Sequence, residues 1–221
     1  MAQTSQVTSI AVGVSAAPAL IGLASTTRQF RLAYPNVLIR IVPGNFPSVL
    51  HELQAGTLDL SIGPRSQNPM GEEFVVETLM KNTRKVVCRL GHPLEKATSL
   101  SQLLQADWII TGATGAAQLD FSRYFRQHFL EAPIAAVQCE YSTGLFALLA
   151  NTDMLAMLPT QWANSKLSRG FLCAIPIQEI IRDTEICATY RAGVPLTPAA
   201  RHFLTLMTRE FEYYVAGSTD G

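Results

Sequence analysis

Charge is scarce in this chain, and neither sign dominates. Lys and Arg number 17 and Asp and Glu 17 among 221 residues, so the formal net charge is zero. A chain this neutral exerts no long-range pull on nucleic acid or on an anionic membrane surface. The segment is therefore not expected to grip DNA by itself. Long hydrophobic runs are missing too. The longest apolar-looking stretch, Ile10 to Ala24, is shorter than the ~20 residues of a membrane span, and Pro18 interrupts it. Met1 to Gln6 carry no basic residue, which speaks against a secretory leader. The four cysteines, Cys88, Cys139, Cys173 and Cys187, form no CxxC pair and have no histidine at zinc spacing. Three of them lie in apolar runs that read as strands, at 86–88, 137–139 and 186–188. Buried free thiols in a reducing compartment are the expected outcome.

Catalytic signatures are also absent. No GxSxG elbow, Walker loop, HExxH or GxGxxG occurs. His51, His92, His128 and His202 have no neighbouring Ser or Cys in sequence to activate, and all four read as structural or solvated. No catalytic residue, metal or cofactor is predicted. The hydrophobic fraction of 48% is that of a globular protein.

What is present is a repeated strand–helix rhythm. Ile10–Val14 reads as a buried strand, followed from Ala19 by a helix with Pro18 in its first turn. Val37–Val42 reads as a second strand. Asn45 is expected to cap a helix bearing Phe46, Val49, Leu50 and Leu53, with Gly56 closing it. Leu58–Ile62 is a third strand. This order implies a parallel sheet with right-handed crossovers.

Phe74–Met80, Lys85–Leu90, Trp108–Ile110, Val137–Tyr141 and Met154–Leu158 are further strands. A short helix near Ser99 or Ser101 and helices at 117–129 and from Ser142 fall between them. Glu185–Arg191 returns as a strand, and Thr197-Pro198 opens a long final helix. The expected fold is α/β, two Rossmann-like lobes joined by two crossover strands. Residues 1–82 form the first part of lobe I, 83–184 lobe II, and 185–221 the return to lobe I with a C-terminal tail.

In open parallel sheets, ligands bind beyond the carboxyl ends of strands. Four such ends carry small or hydroxylated residues before a helix start, where unpaired N–H groups favour an anion. They supply the candidate ligand-binding residues Ser15, Ala16, Ala17, Gly44, Asn45, Thr111, Gly112, Ser142 and Thr143. Arg65 joins them as the basic residue just after a strand end. Ordinary caps and turns would show the same residues.

Five segments taken in order resemble the effector-binding domain of LysR-type transcriptional regulators. They are Ser9-Ile-Ala-Val-Gly-Val-Ser15, Phe30-Arg-Leu-Ala-Tyr-Pro-Asn-Val37, Leu53-Gln-Ala-Gly-Thr-Leu-Asp-Leu-Ser-Ile62, Gly91-His-Pro-Leu94 and Pro195-Leu-Thr-Pro-Ala-Ala200. The resemblance runs over roughly Thr8 to Tyr214. It implies a periplasmic-binding-protein type II-like fold that binds a small organic anion in the interlobe cleft to control transcription. Val137-Gln-Cys-Glu140 and Met157-Leu-Pro159 resemble the branch that senses aromatic and other organic acids, which makes an aromatic carboxylate or sulfonate one candidate effector. Where many members carry Thr or Ser directly after the position of Ser15, this chain has Ala16-Ala17.

The resemblance further implies a cytoplasmic homodimer or homotetramer, paired through Ala19–Tyr34 of one copy and Ser122–Phe129 of the other. DNA would be bound only through an N-terminal winged helix-turn-helix that this sequence lacks, RNA polymerase would be met by the full-length protein, and no membrane is involved. A periplasmic solute-binding protein of an ABC transporter shares the plan and is the alternative. A small α/β enzyme is a more distant one.

Overall fold

A computed structural model describes residues 8–66, 68–112 and 116–219. The chain divides into two compact units, Met1–Lys81 with Glu185–Gly221, and Asn82–Thr184. Each unit is one mixed five-stranded sheet with helices packed on it.

In the first unit, β1 (Ser9–Val14) leads into a helical run made of α1 (Ala16–Pro18), a π-helical segment (Ala19–Leu23) and α2 (Ala24–Ala33). The helix starts at Ala16, with Ser15 in the N-cap position, and not at Ala19 as the pattern suggested. Pro18 is still tolerated because the first-turn N–H groups have no intrahelical acceptor to lose. β2 (Leu38–Pro43), α3 (Ser48–Ala55), β3 (Leu60–Pro64) and β4 (Phe74–Asn82) follow, and the unit closes with β10 (Thr184–Arg191) and α7 (Pro198–Thr219). β1 pairs in parallel with both β2 and β3, with Val12 opposite Ile41 and Leu60. β10 runs antiparallel to β3, with Ala188 opposite Ile62. The sheet order β2-β1-β3-β10-β4 is therefore mixed, not purely parallel.

Side chains alternate across a strand, so this sheet covers a core on each face. Ile10, Val12, Val14, Leu60 and Ile62 pack with Phe30, Phe203, Met207 and Phe211 on one side. Val49, Leu53, Leu58 and Phe74 pack on the other. Each such side chain contributes roughly 1.5–3 kcal/mol by burial. The π-helical segment meets α7 where Gly22 lies against Glu210, and α2 packs on α7 just beyond it. The Glu210 carboxylate accepts hydrogen bonds from Ser25 Oγ at 2.7 Å and Gln29 Nε2 at 3.1 Å. Thr197 acts as the cap of α7, its Oγ1 accepting from the Ala200 N–H at 3.2 Å.

The predicted Asn45 cap does not form. α3 begins at Ser48 with Pro47 in the N-cap position. Only the Asn45 carbonyl is used there, by Ser48 Oγ at 2.8 Å and the Val49 N–H at 3.3 Å. Gly56 closes α3 in the left-handed region, φ 71°, a conformation that costs a residue without Cβ almost nothing.

The second unit contains β5 (Arg84–Arg89), a 3-10 turn (Leu100–Leu103), β6 (Trp108–Ile110), α4 (Ala116–Gln127), β7 (Val137–Gln138), α5 (Ser142–Asn151), β8 (Leu155–Pro159), α6 (Gln161–Asn164) and β9 (Leu172–Ile175). The order is β7-β6-β8-β5-β9. β6 is parallel to β7 and β8, and β5 is antiparallel to β8 and β9. Trp108 anchors the core, edge-on to Phe125 with ring centroids 5.6 Å apart, and its indole N–H donates to the Leu103 carbonyl. The 3-10 turn carries a reciprocal capping box between Ser99 and Gln102. His92 is 4% exposed. Its Nδ1 accepts the Leu94 N–H at 2.9 Å while Nε2 contacts the Asp153 carbonyl, so this histidine is structural.

Two sequence expectations fail in this unit, and two elements were not foreseen. The strand expected over Val137–Tyr141 is two residues long. α4 stops at Gln127, and Phe129 adopts φ 59° with its ring 99% exposed. It was expected on the apolar side of the helix. Neither β9 nor α6 was anticipated, because Leu172-Cys-Ala-Ile175 is too short to show a period.

Candidate functional site

In the first unit three strand ends cross at close range. A Cβ on Gly44 would lie 2.6 Å from the Val14 nitrogen and 2.7 Å from the Ser15 nitrogen. A Cβ on Gly63 would lie 2.4 Å from the Gly44 carbonyl oxygen and 3.3 Å from Ser15 Oγ. Only glycine lets backbone approach backbone this closely. Ser15 is 5% exposed. Its N–H donates to the Ile62 carbonyl at 3.0 Å, and its own carbonyl accepts the Ala19 N–H at 3.1 Å.

The predicted Ser15 and Gly44 are thus brought together. Gly63, which sequence reasoning did not single out, proves to be the third member. Ala16 is half-buried beside them. The Ala17 side chain lies in the core, which leaves only its backbone for a ligand. Asn45 is exposed.

Arg65, the basic candidate after β3, makes its contacts within the protein. Its Nε donates to Glu185 Oε2 at 2.5 Å, its Nη2 to Thr78 Oγ1 at 2.8 Å, and its backbone N–H to the Glu185 carbonyl. The hydrogen bond to Glu185 raises the guanidinium pKa above its ordinary value. Since both groups stay about half exposed, the pair adds little to stability. Arg65 also lines a shallow cavity of about 440 Å³ with Ser66, Asn68, Met70, Phe74 and Val76.

The second unit presents its polar groups differently. Thr111 is half-buried at the end of β6, and Gly112 is exposed with φ 112°. Residues 113–115, part of the predicted β6-end loop, lie outside the described residues. Gln138 Nε2 donates to the Gly112 carbonyl at 2.8 Å, and the Cys139 N–H to the Ile110 carbonyl. These bonds join the ends of β6 and β7.

Tyr141 occupies the N-cap position of α5 in extended geometry, and no side chain among the described residues caps the helix. Ser142 and Thr143 are exposed in that first turn. The N–H groups there are unpaired within the helix and carry its partial positive charge. Tyr141 lies close over the turn, since a Cβ on Gly144 would meet its ring. Sequence reasoning missed Gln138 and Tyr141, although the Tyr141-Ser-Thr-Gly144 order was visible. It also missed Arg84, whose Nη2 donates to the Met157 carbonyl at 2.6 Å and whose pKa burial lowers.

Among the described residues no group of three His, Cys, Asp or Glu could hold a metal ion. None of the described helices is long and apolar enough to cross a membrane.

Comparison with known proteins agrees with this architecture. The chain is 25% identical over 173 residues to the HTH-type transcriptional regulator GalR of Pseudomonas putida KT2440, covering 78% of this chain and 44% of that protein. It spans about half the length of the curated relatives it matches. The effector-binding domain of QuiR in complex with shikimate superposes with a TM-score of 0.73 at 18% identity, over 91% of this chain and 95% of that one. The BenM effector-binding domain with benzoate gives 0.70 at 16% identity, over 94% and 93%. The family described as the LysR substrate binding domain matches residues 3–212, and with nearly the whole length accounted for, the chain belongs to that family.

Proposed function

We propose that this chain is the ligand-sensing part of a LysR-type transcriptional regulator and that its effector is a small organic anion. The uncapped first turn of α5 carries this reading. Ser142 and Thr143 offer two hydroxyl donors beside unpaired N–H groups, an arrangement that stabilises a carboxylate or sulfonate without a lysine or arginine. Thr111 and Gly112 of the same unit supply further polar groups. In the first unit Ser15, Ala16 and Gly44 are the candidates, acting mainly through backbone, with Arg65 beside its half-exposed partner Glu185. Benzoate and shikimate, the ligands of two structural neighbours, are ring carboxylates and guide the choice of probes.

The regulator as a whole is proposed to work in the cytoplasm as a homodimer or homotetramer, with DNA bound by a separate domain and RNA polymerase met by the full-length protein. The solute-binding-protein alternative is disfavoured, because the matched relatives are transcriptional regulators. A thermal-shift screen of aromatic and aliphatic carboxylates and sulfonates tests the proposal. A ligand at 100 times its dissociation constant adds about 2.7 kcal/mol. A hit that is lost in Thr111→Val and in Ser142→Ala supports the site. A hit unaffected by both places the anion elsewhere.

A further inference from the structure

Cys88 and Cys173 stand directly opposite each other on the antiparallel strands β5 and β9. Their Sγ atoms are 3.5 Å apart, and both thiols are free. Directly opposed residues on antiparallel strands keep their Cα atoms about 4.5–5.5 Å apart, within the span a disulfide accepts. Bond formation then needs the sulfurs to approach by only about 1.5 Å, since an S–S bond is about 2.05 Å long.

The two thiols are not equivalent. Cys88 is fully buried in the core of the second unit. Cys173 is half-buried on β9, the edge strand of that sheet. Burial, reinforced by the neighbouring Cys173, pushes the Cys88 thiol well above its usual range. Cys173 is therefore the sulfur that a small oxidant meets first. Cys139 and Cys187 lack such a partner. Their sulfurs contact the Tyr141 carbonyl and the Thr78 hydroxyl.

We propose that Cys88 and Cys173 form a reversible thiol–disulfide site, oxidised by hydrogen peroxide, that staples the edge strand β9 to β5. In the first step the Cys173 thiolate attacks a peroxide oxygen. An S–O bond forms, the O–O bond breaks, and the leaving hydroxide takes up a proton as water. In the second step the Cys88 sulfur, as it loses its proton, attacks the Cys173 sulfenic acid. The S–S bond forms, the S–O bond breaks, and a second water leaves. Two thiols are oxidised and one peroxide is reduced to two waters. A thiol such as dithiothreitol reverses the change by exchange. This site is independent of the effector reading and lies wholly within one unit.

Hydrogen peroxide followed by tryptic mapping without reductant tests it. The cysteines fall in separate peptides, Val86–Arg89 and Gly170–Arg182. The intact chain is expected to lose two hydrogens, the two peptides to appear as one cross-linked species that dithiothreitol separates, and the oxidised chain to melt several degrees higher. Cys173→Ser should abolish the cross-link and leave Cys88 reduced. The wild-type peptide map decides the question even if that variant folds poorly. Two added oxygens on Cys173 with Cys88 still a thiol would overturn the proposal. So would a cross-link through Cys139 or Cys187, or an unchanged thiol count.

Discussion

The two units build the same kind of strand-end loop by opposite means. In the first, Ser15, Gly44 and Gly63 interlock backbone on backbone, with Ser15 buried and its N–H already engaged. In the second, Thr111, Ser142 and Thr143 sit at the surface before an uncapped helix. The first arrangement fixes geometry and tolerates no added atom. The second keeps hydroxyl and N–H groups available.

The sharpest way to break this contrast is to add one methyl group to each unit. Gly63→Ala places a Cβ 2.4 Å from the Gly44 oxygen, and backbone must move to relieve it. A loss of about 2–4 kcal/mol in denaturant unfolding is expected. Gly144→Ala meets only the ring of Tyr141, which is 70% exposed and free to swing away. It should be neutral or stabilising by up to about 1 kcal/mol, the usual preference for Ala over Gly within a helix. Equal losses at the two positions would show that the units do not differ in this way.

A smaller effect is expected in ligand affinity. Thr111→Val removes a hydroxyl at similar volume and should weaken effector binding by about 0.5–1.5 kcal/mol, and by more if its partner is charged. Titration calorimetry on the best ligand of the screen reads this directly. Unchanged affinity would remove Thr111 from the site.

Phe129 gives a test of the exposed surface of the second unit. It holds φ 59° with its ring in solvent, and Leu119 on α4 is 60% exposed. Phe129→Gly relieves the left-handed strain and should raise stability by about 0.5–1 kcal/mol. If this surface pairs with a second copy, the same change should also shift sedimentation equilibrium toward monomer. No change in association would separate Phe129 from the dimer contact.

The smallest effect concerns alkaline pH. Burial, with Glu179 nearby, raises Tyr124 to about 12 from its ordinary 10. As pH rises from 10 to 12 the unfolded chain releases this proton while the folded chain keeps it, so stability falls in that window. Tyr124→Phe should flatten this part of the pH–stability curve. An identical slope in the variant would assign the loss to other groups.

The sequence was most legible where the local pattern and the tertiary environment agreed. The runs at Ile10–Val14 and Trp108–Ile110 are strands, Gly56 ends its helix, and Thr197 caps the last one, as their residue types imply. Legibility failed where a contact distant in the chain decided. Arg65 reads as a free cation until Glu185, 120 residues on, claims it. Phe129 continues an apolar helical stripe on paper, yet the chain turns left-handed before the ring can reach the core. Asn45 has the right chemistry for a cap, but the helix begins three residues later.

By itself the sequence determined the α/β rhythm and the family, because period and turn chemistry act over a few residues. Only the tertiary structure decided that the sheets are mixed, that Gly44 and Gly63 interlock over Ser15, and that Cys88 faces Cys173 across two strands. Strand partners and register are set by packing between segments far apart in the chain, and one residue of register decides which side chains meet.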